Sequence, residues 1–61
     1  MSGAMVKNLR QQMEMTQEEF AREMNVTFST VNRWENGHAK PSRLAMLTIQ
    51  RIASERQISL Q

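Results

Sequence analysis

No cysteine occurs anywhere in the chain, so neither a disulfide framework nor a thiolate metal site can supplement its packing. The single histidine, His38, has no partner at metal-ligand spacing, so no metal site is expected. Nothing approaches the roughly 18 consecutive apolar residues of a membrane span, and no signal-peptide core is visible. The chain therefore reads as cytoplasmic. It lacks a nucleophile–base pair, a metal cluster and a glycine-rich phosphate loop. Those absences argue against an enzyme and leave no catalytic residue or cofactor to expect. No four-residue alternation is bounded by turn signals, so strands have almost no support. Internal repeats and low-complexity stretches are missing as well.

What remains is 61 residues, enough for one small domain. A chain of this size buries only about 60% of its unfolded surface, and compact helical packing is the cheapest way to build a core. The net charge of +2 decides little by itself. Its distribution is more telling. Residues 14 to 23 hold Glu14, Glu18, Glu19 and Glu23 against Arg22, whereas residues 33 to 51 hold Arg33, Lys40, Arg43 and Arg51 against Glu35. A basic second half beside an acidic patch suggests one surface turned to phosphates and another turned away. On charge alone, a solvated mixed-charge surface fits equally well.

The stretch MTQEEFAREMNVTFSTVNRWENG, residues 15 to 37, is the most informative. Thr16 can cap a helix, and Glu19 three positions later completes a T-x-x-E capping box. Phe20, Ala21 and Met24 recur at helical spacing. Asn25, which tolerates positive φ, falls where the chain must turn. Thr27 caps the next helix, which stops at Asn36-Gly37. Two short helices on a tight turn form a helix-turn-helix, whose usual use is to place its second helix in DNA.

Around this motif the pattern predicts helices over about 5–13, 17–24 and 28–35, then a fourth capped by Ser42. Pro41 disfavours helix at Lys40, so the fourth can begin only after it. Residues 1–4 read as a flexible end, or as residues added ahead of a native start at Met5. Residues 5–54 form the domain and 55–61 a short tail, polar apart from Ile58 and Leu60. The expected core is Val6, Leu9, Met13, Phe20, Ala21, Met24, Val26, Val31, Trp34, Ala45, Ile49 and Ile52, with Leu44 and Thr48 as further candidates for the apolar stripe of the fourth helix.

Successive helical residues rotate by about 100°, which assigns the faces of the third helix. With Val31 inward, Thr27 and Trp34 lie within about 60° of it, and Ser29 and Arg33 fall roughly opposite. Asn32 sits about 100° away, and Phe28 about 60° away on the far side from Trp34, straddling core and outer face. Arg pairs bidentately with guanine, Asn with adenine, Ser with either, and Phe can touch a thymine methyl. A lone Trp could also stack on single-stranded bases, but its side of the helix favours the core. Arg10 and Glu35 both lie on or beside apolar stripes. Two such charges either pair or extend to water, since burial unpaired would cost several kcal/mol.

TQEEFA, the turn MNV, and TVNRWENG followed by KPS together resemble the Cro/C1-type, XRE-like helix-turn-helix family, the lambdoid phage repressors and Cro proteins among them. The resemblance covers about residues 6 to 53 and implies an all-α, four-helix (or five-helix) lambda-repressor-like domain. At matching positions it implies base contacts from Phe28, Ser29, Asn32 and Arg33, and phosphate contacts from Gln17, Thr27, Asn36, Lys40, Ser42 and Arg43. It also implies an ion pair between Arg10 and Glu35. A helix N-terminus independently favours an anion, in keeping with Ser42 and Arg43. Asn25 stands where the family usually has Gly.

The function so implied is sequence-specific binding of double-stranded DNA, acting as a transcriptional regulator of the repressor kind. The expected target is a palindromic operator bound by a weak or DNA-induced dimer. Two alternatives stay open: an antitoxin that binds its operator and a toxin protein, and a helical protein-interaction or RNA-binding module without DNA contact.

Overall fold

The computed structural model describes residues 1–60, which form four α-helices: α1 (Gly3–Gln12), α2 (Gln17–Met24), α3 (Phe28–Glu35) and α4 (Arg43–Glu55). The fold is all-α, with extents of 27 × 20 × 18 Å. α3 packs against both α1 and α2, and α4 packs against α2.

Every helix begins at a hydroxyl cap. Ser2, Thr16, Thr27 and Ser42 accept from the backbone N–H of Met5, Glu19, Thr30 and Ala45, each relieving one orphan donor. At Thr16 the box is complete, because the Glu19 carboxylate accepts from the Thr16 N–H at 2.8 Å. Those bonds to Thr16 hold the Glu19 carboxyl below the usual carboxylate range.

Every helix also ends the same way. Glu14, Asn25, Gly37 and Gln57 adopt left-handed backbone, at φ 56°, 59°, 76° and 56°. The following N–H then reaches back over the last turn: Met15 to the Arg10 carbonyl (3.2 Å), Val26 to Ala21 (2.9 Å), His38 to Arg33 (2.9 Å) and Ile58 to Ala53 (2.8 Å). This Schellman closure folds the next side chain onto the helix it terminates. Met15, Val26 and Ile58 accordingly pack against the core.

The core itself is one cluster of Val6, Leu9, Met13, Phe20, Ala21, Met24, Val31, Trp34, Ile49, Ile52 and Ala53. Val26 and Ala45, expected inside, are half-buried against its edge. Leu44 is not part of the α4 stripe. It is 75% exposed in the first turn, and Ala53 lies buried at the other end of the helix instead. Ile58 and Leu60 pack against the core, because the turn at Gln57 brings the chain back instead of letting it run on as a tail.

The N-terminal end also differs from expectation. α1 starts at Gly3 rather than Met5, so residues 1–4 carry the cap and the first two residues of the helix. Met1 packs against the core. Gly3 permits this by its missing side chain. A Cβ there would stand 2.4 Å from the Trp34 carbonyl oxygen and 2.7 Å from that of Glu35, so α1 begins in backbone contact with the end of α3. Gly3→Ala is therefore expected to lower stability by about 1–3 kcal/mol, although alanine is the better helix former. Urea titration checks it; an unchanged or raised midpoint would mean that this first turn is not docked on α3.

Candidate DNA interface

The inward side of α3 is fixed by Val31, which is fully buried, and Trp34, which is nearly so. That leaves Ser29 and Arg33, one turn apart, exposed on the opposite side. Phe28 is half exposed at the start of the helix. Asn32 is half-buried at the seam with α2. Beyond the helix, Asn36, Lys40, Ser42 and Arg43 are all exposed along the loop and the first turn of α4.

The cations divide into two sets. Arg10, Arg51 and Arg56 are ion-paired, with Glu35, Glu55 and Glu23 respectively. Among the described residues, Arg33, Lys40 and Arg43 form no ion pair, and neither does Lys7. The charges on α3, its following loop and the start of α4 are thus uncompensated, which is what a phosphate-facing surface needs. The backbone adds to this, since the first N–H groups of α4 have no intrahelical acceptor and Ser42 satisfies just one of them.

Thr27 and Ser42 use their hydroxyl oxygens as caps. Thr27 Oγ1 also lies 2.9 Å from Thr30 Oγ1. A capping hydroxyl still carries its own proton, so either can donate outward.

Behind the exposed face stands a polar network. Arg10 Nε donates to Glu35 Oε2 at 2.6 Å and Arg10 Nη2 to Glu35 Oε1 at 3.0 Å, a fork-on-fork pair joining α1 to the end of α3. Arg10 Nη1 also donates to the Met15 carbonyl at 3.0 Å. The Glu35 side chain is 4% exposed, and its hydrogen bonds hold the Arg10 guanidinium above its ordinary value against the opposing effect of burial. Gln17 Nε2 donates to Glu35 Oε1 at 3.1 Å and, at 3.5 Å, to Asn32 Oδ1. Asn36 Nδ2 donates to the same Asn32 oxygen at 3.2 Å.

This network joins residues expected to play separate parts. Gln17, expected at a phosphate, has both side-chain N–H groups turned inward to Glu35 and Asn32. Its backbone N–H, in the first turn of α2, is the group left for an anion. Nothing in the residue pattern flags the contact between Gln17 and Asn32, fifteen positions apart and both neutral. Among the described residues no three His, Cys, Asp or Glu side chains converge as a metal site would require.

Two capped helices on a left-handed turn at Asn25, the second buried along one side and polar and basic along the other, define a helix-turn-helix. A family model described as helix-turn-helix, of the Cro/C1 type, matches residues 6–55. The chain belongs to that family. It is, at that level, a DNA-binding transcription regulator whose partner is double-stranded DNA. No curated protein and no solved structure matches the chain significantly.

Proposed function

We propose that the protein is a repressor that recognises a specific operator by laying α3 in the major groove. Phe28, Ser29, Asn32 and Arg33 meet base edges there. Lys40, Ser42, Arg43, Thr27, Asn36 and the start of α2 hold the flanking phosphates, and DNA of this kind places the protein with the nucleoid. The observation that carries this reading is the free guanidinium of Arg33, exposed on a helix whose other side is locked by Val31 and Trp34. A side chain on so fixed a support can discriminate between bases, because its geometry is set before contact.

A single α3 makes a small contact, so the operator is read by two copies on half-sites one turn apart, about 34 Å centre to centre. With Ile58 and Leu60 packed on the core, the apolar surface left for pairing is Leu44 and Leu47 on α4, 75% and 50% exposed. That area is far below the roughly 1,200 Å² of a stable interface, which favours pairing on DNA over pairing in free solution.

Arg33→Ala should cost about 1–3 kcal/mol on the best site and relax the preference at one base pair, a guanine. Lys40→Ala and Arg43→Ala should instead weaken every duplex to a similar degree, each reducing the slope of log K against log salt by about 0.9. Fluorescence anisotropy on matched and scrambled duplexes at several salt concentrations separates the two patterns. Uniform weakening by Arg33→Ala would remove its base-reading role.

A further inference from the structure

The orientation of the Asn32 amide is not free. Its Oδ1 faces two donors, Gln17 Nε2 at 3.5 Å and Asn36 Nδ2 at 3.2 Å, and an amide oxygen has two lone pairs to accept them. Turning the amide over would set its NH2 against two other NH2 groups. Gln17 cannot turn to accommodate it, because its Oε1 would then face the Glu35 carboxylate in place of its Nε2. Glu35 in turn is held by the two-pronged bond from Arg10. A fixed negative charge therefore orients one amide, that amide orients the next, and Asn36 closes the chain from the other side.

We propose that the Arg10–Glu35 ion pair, acting through Gln17, sets which base Asn32 reads, by leaving it an outward NH2 and no outward oxygen. The inference rests on the reading of α3 as the base-contacting helix and adds to it the polarity of one contact. An asparagine with both groups free pairs with adenine, accepting from N6 and donating to N7. With its oxygen engaged, Asn32 has donors to offer, and guanine presents two acceptors, O6 and N7, on its major-groove edge. Adenine would set its N6 amino group against the Asn32 amino group. Gln17 and Asn36 are accordingly positioning residues for specificity, acting through Asn32 and not on the base.

The test uses duplexes that differ at the single base pair whose identity ceases to matter in Asn32→Ala. The unmodified protein should prefer guanine to adenine there. Gln17→Met keeps the side chain's bulk and removes its donors, and Asn36→Ala removes the second donor at an exposed position. Together they free Oδ1, and the guanine-to-adenine preference should fall on the order of tenfold at that pair, with preferences elsewhere unchanged. Either single variant should give part of the change, and melting curves show that each is folded.

Equal weakening on all duplexes by Gln17→Met, with the guanine-to-adenine preference intact, would overturn the proposal and make Gln17 a backbone contact; so would a preference of the unmodified protein for adenine. Failure of the unmodified protein to bind any duplex would instead overturn the base-contacting reading of α3, and the proposal with it. The orientation has its own readout without DNA. Side-chain amide exchange by NMR should be slow for Gln17 and fast for Asn32, and the reverse order would contradict the relay.

Discussion

Trp34→Ala is expected to cost about 3–5 kcal/mol, the usual range for removing a large aromatic from a core. Trp34 is 5% exposed and joins Val6, Leu9 and Val31 in the cluster on which α1 and α3 meet. A domain of this size has a total stability of about 3–9 kcal/mol, so the loss is comparable to the whole. The site also collapses poorly, since the Trp34 backbone carbonyl is pressed against the start of α1 at Gly3. Circular dichroism at 25 °C should show a largely unfolded variant, or one melting far below the parent. A stably folded Trp34→Ala that had lost DNA binding would put the indole at the interface and not in the core.

Breaking the ion pair from one side should be nearly as damaging. Arg10→Met leaves the Glu35 carboxylate, 4% exposed, with a single donor from Gln17, and an unpaired buried charge of this kind costs about 3–5 kcal/mol. Removing both charges is a different matter. Arg10→Met combined with Glu35→Leu replaces the pair with apolar volume, and such exchanges are often close to neutral. The double variant should therefore be more stable than Arg10→Met alone, and a double-mutant cycle by denaturant titration measures the coupling. A cycle in which the two losses simply add would show that the pair contributes nothing as a pair. The base-pair preference at Asn32 gives a second, independent signature, because the double variant also removes the charge that orients Gln17.

The parts of this molecule that sequence reveals are those carried by residue type at fixed spacing. The capping box at Thr16 and Glu19, the turn at Asn25 and the stop at Gly37 each need a particular side chain or its absence. The apolar period along α1 to α3 can then have just one inward face. Arg10 and Glu35 could be placed near the core by rotation, and their pairing followed from resemblance to a family. What was hidden depends on tertiary position. Glu14 and Gln57 take up left-handed backbone without belonging to the types that favour it, so the return of Ile58 and Leu60 to the core had no local signal. Gly3 looks like a loose terminal residue until the end of α3 is set against it. Leu44 keeps the apolar character of a core residue yet points outward. At the interface, rotation alone identified the exposed Ser29 and Arg33. It could not show that the Asn32 oxygen is already taken, because its partners come from another helix and from the next turn.

Selection of binding sites from random duplex DNA tests the central claim most directly, that α3 with Arg33 reads base sequence. The account predicts enrichment of one site, palindromic with half-sites about one turn apart and containing guanine at the Arg33 pair. Binding to it should be steep, and scrambling one half-site should abolish the steepness. Recovery of unselected sequence, bound equally well at every round, would contradict it.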